Sequence, residues 1–160
     1  MKTLLLARHA KSDWGEPGLP DHDRPLNGRG LRDAPVMAAR LVDDGLEIAH
    51  IVSSTAVRAR STAREYAAAY RLDVVEEPRL YAATARAIIA IAAALPDDAQ
   101  AAMLVGHNPG MSDAVAELTG SFVAMPTCAV AECTVDVDSW GELIEGSGRL
   151  LRLRTPHDSL

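Results

Sequence analysis

The feature that most limits what this chain can become is an apolar run, Thr3-Leu4-Leu5-Leu6-Ala7, too short for a helix and stopping on Arg8 and His9. A buried strand that ends in polar groups is how an open α/β sheet presents chemistry at its carboxyl edge. Arg8 can hold a phosphate or carboxylate through two parallel hydrogen bonds. His9 can serve as a nucleophile or a base. An Arg-His pair carries little information alone; its weight comes from two further strand ends, one followed by Arg58 and one by His107.

The rest of the chain alternates the same two patterns. Residues 3–8 read as a strand, and 13–27, rich in Gly, Pro, Asp and His, as a loop. Residues 28–45 place Leu31, Ala34, Ala38, Leu41 and Val42 at helical spacing, with Asn27 or Asp33 as cap and Gly45 as stop. A strand at 48–52 leads into Ser53-Ser54-Thr55, a helix-capping sequence, and a helix to about Tyr70. A brief strand at 74–76 precedes an Ala/Ile-rich helix at 83–95, closed by Pro96. A strand at 101–105 meets the turn Gly106-His107-Asn108-Pro109-Gly110, and a helix runs on to Leu118. Residues 130–137 and 149–154 alternate as an antiparallel pair joined by a Gly-rich turn. The expected fold is α/β: a three-layer α/β/α arrangement with a mainly parallel sheet and an antiparallel edge. No linker or repeat divides it, so residues 1–160 are expected to form one domain.

Charge points to a local anion site. Residues 1–64 hold 10 Lys/Arg against 8 Asp/Glu, whereas residues 65–160 hold 6 against 14. A basic half inside a chain of net charge −6 fits a confined anion, not a nucleic-acid surface. No apolar stretch is long enough to span a bilayer, and residues 1–9 do not read as a signal peptide, so no membrane partner and a cytoplasmic location are expected. Cys128 and Cys133, five apart in an apparent strand, would face opposite ways and stay unpaired.

Arg8-His9, Ser54 to Arg58, and Gly106 to Pro109 each lie just past a strand, where parallel-sheet loops converge. Together they bring two guanidinium groups and two imidazoles, and the last two stand at helix N-termini that favour anions. A tetrahedral phosphoryl group fits that set.

These motifs resemble the histidine phosphatase superfamily, whose Arg-His-Gly reads here as Arg8-His9-Ala10. The substituted Ala must make a tight turn without glycine's freedom. The family's Ser-x-x-x-Arg-Ala-x-x-Thr matches Ser54 through Arg58 and Ala59 to Thr62, and its late Gly-His matches Gly106-His107. Arg24-Pro25-Leu26-Asn27-x-x-Gly30 resembles the Arg-Pro-Leu-Thr-x-x-Gly of the small SixA branch of phosphohistidine phosphatases. The resemblance implies a phosphoglycerate mutase-like fold, His9 as the phosphorylated nucleophile, Arg8, Arg58 and His107 as the phosphate pocket, and Arg24 as a further phosphate contact.

It also implies a metal-independent phosphoric hydrolase with no cofactor, acting on a phosphohistidine-bearing protein or a small phosphorylated metabolite. Relatives that cleave esters need a carboxylic acid after the third strand to protonate the alkoxide. Here Glu76 and Glu77 end that strand and no Asp or Glu occurs at 78–96, which suits an imidazole leaving group. Mutase-like relatives cover the site with a long insertion that is absent here, so a phosphorylated side chain of another protein could enter. Three alternatives stand beside this: a phosphomonoester or nucleotide phosphatase using Glu76, Glu77 or Asp21 as acid, a non-catalytic phosphoprotein-binding module, and a metallohydrolase. The last would have to rest on Asp21-His22-Asp23, which lacks an accompanying His-rich motif. Trp14 is expected either to line the site mouth or to pack on its own loop.

Overall fold

A computed structural model of the chain describes residues 1–157. Its main elements run β1 (Lys2–Arg8), α1 (Gly28–Asp43), β2 (His50–Ser53), α2 (Val57–Tyr70), β3 (Val74–Glu76), α3 (Ala85–Ala93), β4 (Ala101–Gly106), α4 (Gly110–Thr119), β5 (Val130–Val135) and β6 (Gly148–Arg154). The strands form one sheet in the order β3-β2-β4-β1-β5-β6. The pairs β3/β2, β2/β4 and β4/β1 are parallel, while β1/β5 and β5/β6 are antiparallel, so the expected α/β sheet with an antiparallel edge is what forms.

Period-two alternation splits the core. Leu4 and Leu6 of β1 join Ala102 and Leu104 on one face, under α3 and α4. Leu5 and Ala7 join Met103 and Val105 on the other, under α1 and α2. Ile88, Ile91 and Ala92 of the Ala/Ile stripe are buried in the first cluster. Of the two expected caps for α1, Asn27 is the one used: its side chain accepts from Gly30 N at 2.9 Å. Among the described residues no helix is long and apolar enough to cross a membrane.

Three local expectations fail, each for a tertiary reason. Ser53-Ser54-Thr55 does not cap α2; the helix starts at Val57 after Ala56 with no side-chain cap, and the Ser54 hydroxyl lies 2.8 Å from His107 Nε2. Cys128 is not in a strand. It precedes β5 in the left-handed region, φ 67°, and its N–H donates to His9 O at 2.9 Å. Both cysteines are buried and free. The link from β5 to β6 is not a tight turn: residues 136–147 carry a 3₁₀ turn at Trp140–Glu142 that buries Trp140, whose Nε1 donates to Ala99 O at 2.8 Å.

Gly30 positions the site. Helix α1 starts against the loop that follows His9: Asn27 N donates to Lys11 O at 3.0 Å, and Asp13 N to Pro25 O at 2.8 Å. A Cβ on Gly30 would overlap the Lys11 carbonyl oxygen, which is backbone and cannot swing aside. We expect Gly30→Ala to cost about 1–3 kcal/mol, typical of overpacking, and to lower Tm by roughly 3–10 °C. Thermal denaturation checks this; an unchanged Tm would show that α1 does not clamp the loop.

Candidate active site

Three parallel strands end together. In register, Arg8 pairs with Gly106 and Ser53 with Val105. Two more bonds carry the ladder past the strand ends, His9 N to Gly106 O and Ser54 N to Val105 O, each at 3.0 Å. His9 is thereby set beside His107, with ring centroids 5.1 Å apart. Arg8, His9, Arg24, Arg58 and His107 all line one cavity of about 210 Å³, with Trp14 and Asn108 at its wall. All five residues named in advance are brought together.

Each side chain is held by a nameable contact. His9 Nδ1 lies 2.6 Å from Ala10 O. A carbonyl oxygen only accepts, so Nδ1 carries the proton and Nε2 keeps the lone pair. Ala10 N donates to Thr62 Oγ1 at 3.0 Å, and that hydroxyl donates to Arg58 O at 2.8 Å. Thr62 therefore ties the first motif to the second. Ala10 has no positive φ, so the turn after His9 does not need the glycine of related sequences. Arg8 donates to Met125 O at 3.0 Å, and His107 Nε2 lies 2.8 Å from Ser54 Oγ. Arg8 Nε, Arg58 Nε and His107 Nδ1 are buried without a hydrogen-bond partner among the described residues. Unpaired buried polar groups cost about 1–3 kcal/mol each, a cost that anion oxygens would relieve.

Asp21 organises the cationic side. It lies on a 3₁₀ turn at Asp21–Asp23, which the sequence presents only as loop. Arg58 donates to Asp21 O at 2.6 Å and Oδ2 at 2.9 Å, Arg24 Nε to Oδ1 at 3.0 Å, and the Tyr81 hydroxyl to Oδ2 at 2.5 Å. The Tyr81 hydrogen bond, then Arg58 and Arg24, hold this carboxyl well below the usual carboxylate range despite opposition from burial. Arg24 also donates to Ser12 Oγ at 2.8 Å and lies 3.5 Å from the centre of the Trp14 ring. Trp14, 73% exposed, thus lines the mouth and packs on its loop at once.

Sequence reasoning missed Tyr81 altogether. Its ring stands edge-on to His107, with centroids 5.4 Å apart, and to His22 at 5.0 Å. Its only sequence signal is its place just past the third strand. The other carboxylates considered as acids are engaged elsewhere: Glu76 pairs with Arg60, and Glu77 caps the 3₁₀ turn at Pro78–Leu80 while binding Arg79. His22 Nε2 meets Thr55 Oγ1 at 2.8 Å, and Asp21 is taken by the arginines, so the Asp21-His22-Asp23 triplet does not converge on one point. Among the described residues no three His, Cys, Asp or Glu side chains form a metal-holding group.

Burial, with smaller repulsion from His107, Arg58 and Arg8, pushes His9 down to about 3; burial and then Arg58 push His107 down to about 4. Both imidazoles are neutral at pH 7, and His9 Nε2 is a free nucleophile there. The sign for stability follows. An unfolded imidazole takes its proton near 6.5 whereas these folded ones refuse it, so stability is lost as pH falls below 6.5, until the folded values are reached. Between pH 6.5 and 5 we expect a loss of about 2 kcal/mol per imidazole. Urea unfolding at the two pH values measures it, and His9→Ala should remove one share; an equal slope in that variant would contradict the assignment.

Comparison with known proteins follows the same lines. Residues 4–82 match the family described as histidine phosphatase superfamily (branch 1). An uncharacterized protein of Mycobacterium leprae is 31% identical over 93% of this chain and 99% of its own length. An uncharacterized chloroplastic protein of Arabidopsis thaliana is also 31% identical, over 92% of this chain and 72% of its own. Among solved structures, the one named for the phosphohistidine phosphatase SixA of Agrobacterium tumefaciens superposes with a TM-score of 0.82 at 29% identity, covering 97% of this chain and 98% of that one. A SixA complexed with tungstate gives the same TM-score at 23% identity, over 96% and 97%, a likeness of fold.

Proposed function

The chain belongs to the histidine phosphatase superfamily, and from that premise we propose that it hydrolyses the P–N bond of phosphohistidine on a protein, through a phosphorylated His9. The solved relatives named SixA phosphohistidine phosphatases support this choice of substrate. The observation that carries it is the state of Asp21. It is the carboxylate bonded to the site's guanidinium groups, and Tyr81, Arg58 and Arg24 keep it ionised, so it cannot give a proton to a departing alkoxide. Among the described residues, the cavity wall itself carries no Asp or Glu.

In the proposed reaction, the His9 Nε2 lone pair forms a bond to phosphorus as the substrate's P–N bond breaks. The electron pair of that bond goes to the substrate's ring nitrogen. With a proton on the ring's other nitrogen, the leaving group is neutral imidazole and needs no acid. Arg8, Arg58 and Arg24 neutralise the phosphoryl oxygens, and His107 donates from its open Nδ1. Water then attacks phosphorus, its surplus proton passing to a phosphoryl oxygen, and the P–N electron pair returns to Nε2, so phosphate leaves and His9 is again a neutral imidazole with its Nδ1 proton held by Ala10 O. This second step is itself P–N hydrolysis without an acid. A pocket able to turn over must already perform the chemistry proposed for the first step.

General acids contribute about 10²–10⁴ in rate. We therefore expect kcat/KM for a phosphohistidine-bearing polypeptide to exceed that for simple alkyl phosphates by about 10² or more. Phosphate-release assays on both decide it, and equal or faster alkyl ester turnover would overturn the proposal.

A further inference from the structure

We propose that the groove running from His107 between the N-terminal ends of α3 and α4 is the docking cleft for polypeptide flanking the phosphohistidine, with a place for an apolar residue and a basic one. The proposal rests on the phosphohistidine substrate proposed above.

The groove has a volume of about 650 Å³, three times that of the phosphate cavity, within the range of pockets that hold sizeable ligands. It is continuous with the site: His107 and Asn108 line both spaces. His107 is 8% exposed, and its Nδ1 has no partner. Whatever enters the groove therefore reaches a group already facing the phosphoryl pocket. The walls are joined at their base, since a Cβ on Gly110 would overlap the carbonyl oxygen of Ala83. The cleft is thus preformed, and its occupant is not charged for opening it.

The lining chooses the occupant. Methyl groups of residues 82, 83 and 85 form one side, and Phe122, 90% exposed, stands on the rim. An aromatic ring left in water gains from an apolar side chain laid against it. Asp113 and Glu117 of α4 also line the groove, and among the described residues neither side chain has an ion pair or hydrogen bond. A Lys or Arg on the incoming chain would meet them, and complementary charge at a rim speeds and orients encounter. A small phosphorylated metabolite would fill the 210 Å³ cavity and leave this apolar cleft unused.

The test uses short peptides with one histidine phosphorylated by phosphoramidate, flanked either by Leu and Lys or by Ser and Glu. Phosphoramidate itself serves as the small P–N substrate. The full chain should prefer the Leu/Lys peptide by about tenfold in kcat/KM, equivalent to one strong contact. Phe122→Ala and Glu117→Lys, both at exposed positions, should each erase most of that preference. Turnover of phosphoramidate should stay within about twofold. An unchanged preference in both variants overturns the proposal, as does a parallel fall on phosphoramidate. Sedimentation showing a dimer that Phe122→Ala dissociates would also overturn it, since a second copy would then fill the groove. If the unmutated chain hydrolyses alkyl phosphates but neither phosphopeptide, the substrate assignment fails first and the groove falls with it.

Discussion

In His9→Ala, turnover should fall by about 10⁴ or more, while inorganic phosphate or vanadate should still bind. The two halves of that result have separate causes. In the proposed reaction His9 supplies the lone pair that takes the phosphoryl group; its Nδ1 is committed to Ala10 O, so Nε2 is the atom available. His107 does not replace it in this scheme, because its Nε2 is engaged by Ser54 and its open Nδ1 carries the proton it donates. The proposed anion contacts, however, come chiefly from guanidinium groups that the substitution leaves in place: Arg8 on Met125 O, Arg24 on Ser12 and Asp21, Arg58 on Asp21. Removing a buried neutral ring also makes no unpaired charge. Steady-state assays and calorimetric titration with vanadate separate loss of nucleophile from loss of fold. Substantial residual turnover would mean that another atom attacks.

Arg58→Ala should cost about 10³ in kcat, the scale for losing a preorganised charge that stabilises a transition state. Arg58→Lys should recover little, because Lys lacks the planar fork whose separate nitrogens reach Asp21 O and Oδ2 while leaving another N–H for the anion. Part of the loss in Arg58→Ala has a second origin. Without its main guanidinium partner, the Asp21 carboxylate remains beside the pocket and repels the incoming phosphate. Adding Asp21→Asn to Arg58→Ala should therefore restore about tenfold, although Asp21→Asn alone should slow the enzyme by loosening Arg24 and Arg58. Kinetics of the four proteins form a double-mutant cycle. Strictly additive losses would show that Asp21 does not act through Arg58.

The parts of this architecture that could be read in advance are those set by local pattern. β1 and β4 are short apolar runs that end on polar residues, and their register alone brings Arg8, His9 and His107 to one edge. Arg58 was legible because it falls on the first turn after β2, two residues into α2. What was not legible depends on side chains reaching across the fold. Ser54 looks like a helix cap, yet tertiary geometry gives its hydroxyl to an imidazole 53 residues away. Cys128 looks like strand, yet the backbone there must turn through φ 67° so that its N–H can meet His9 O. Arg24 could be weighed either as a phosphate contact or as a partner of Asp21 or Asp23; the structure has it at the cavity wall and bonded to Asp21 at once. Tyr81 bears no motif at all, and its hydroxyl reaches Asp21 across 60 residues.

The proposed reaction depends on one atom, His9 Nε2, receiving a phosphoryl group. Rapid quench of the enzyme during turnover, followed by mass spectrometry and ³¹P NMR, locates that group directly. The expected product is one phosphate on Nε2 of His9, acid-labile and base-stable, formed and lost as fast as the enzyme turns over and absent in His9→Ala. Phosphate on any other residue, or full turnover with no phosphoenzyme formed, would contradict it.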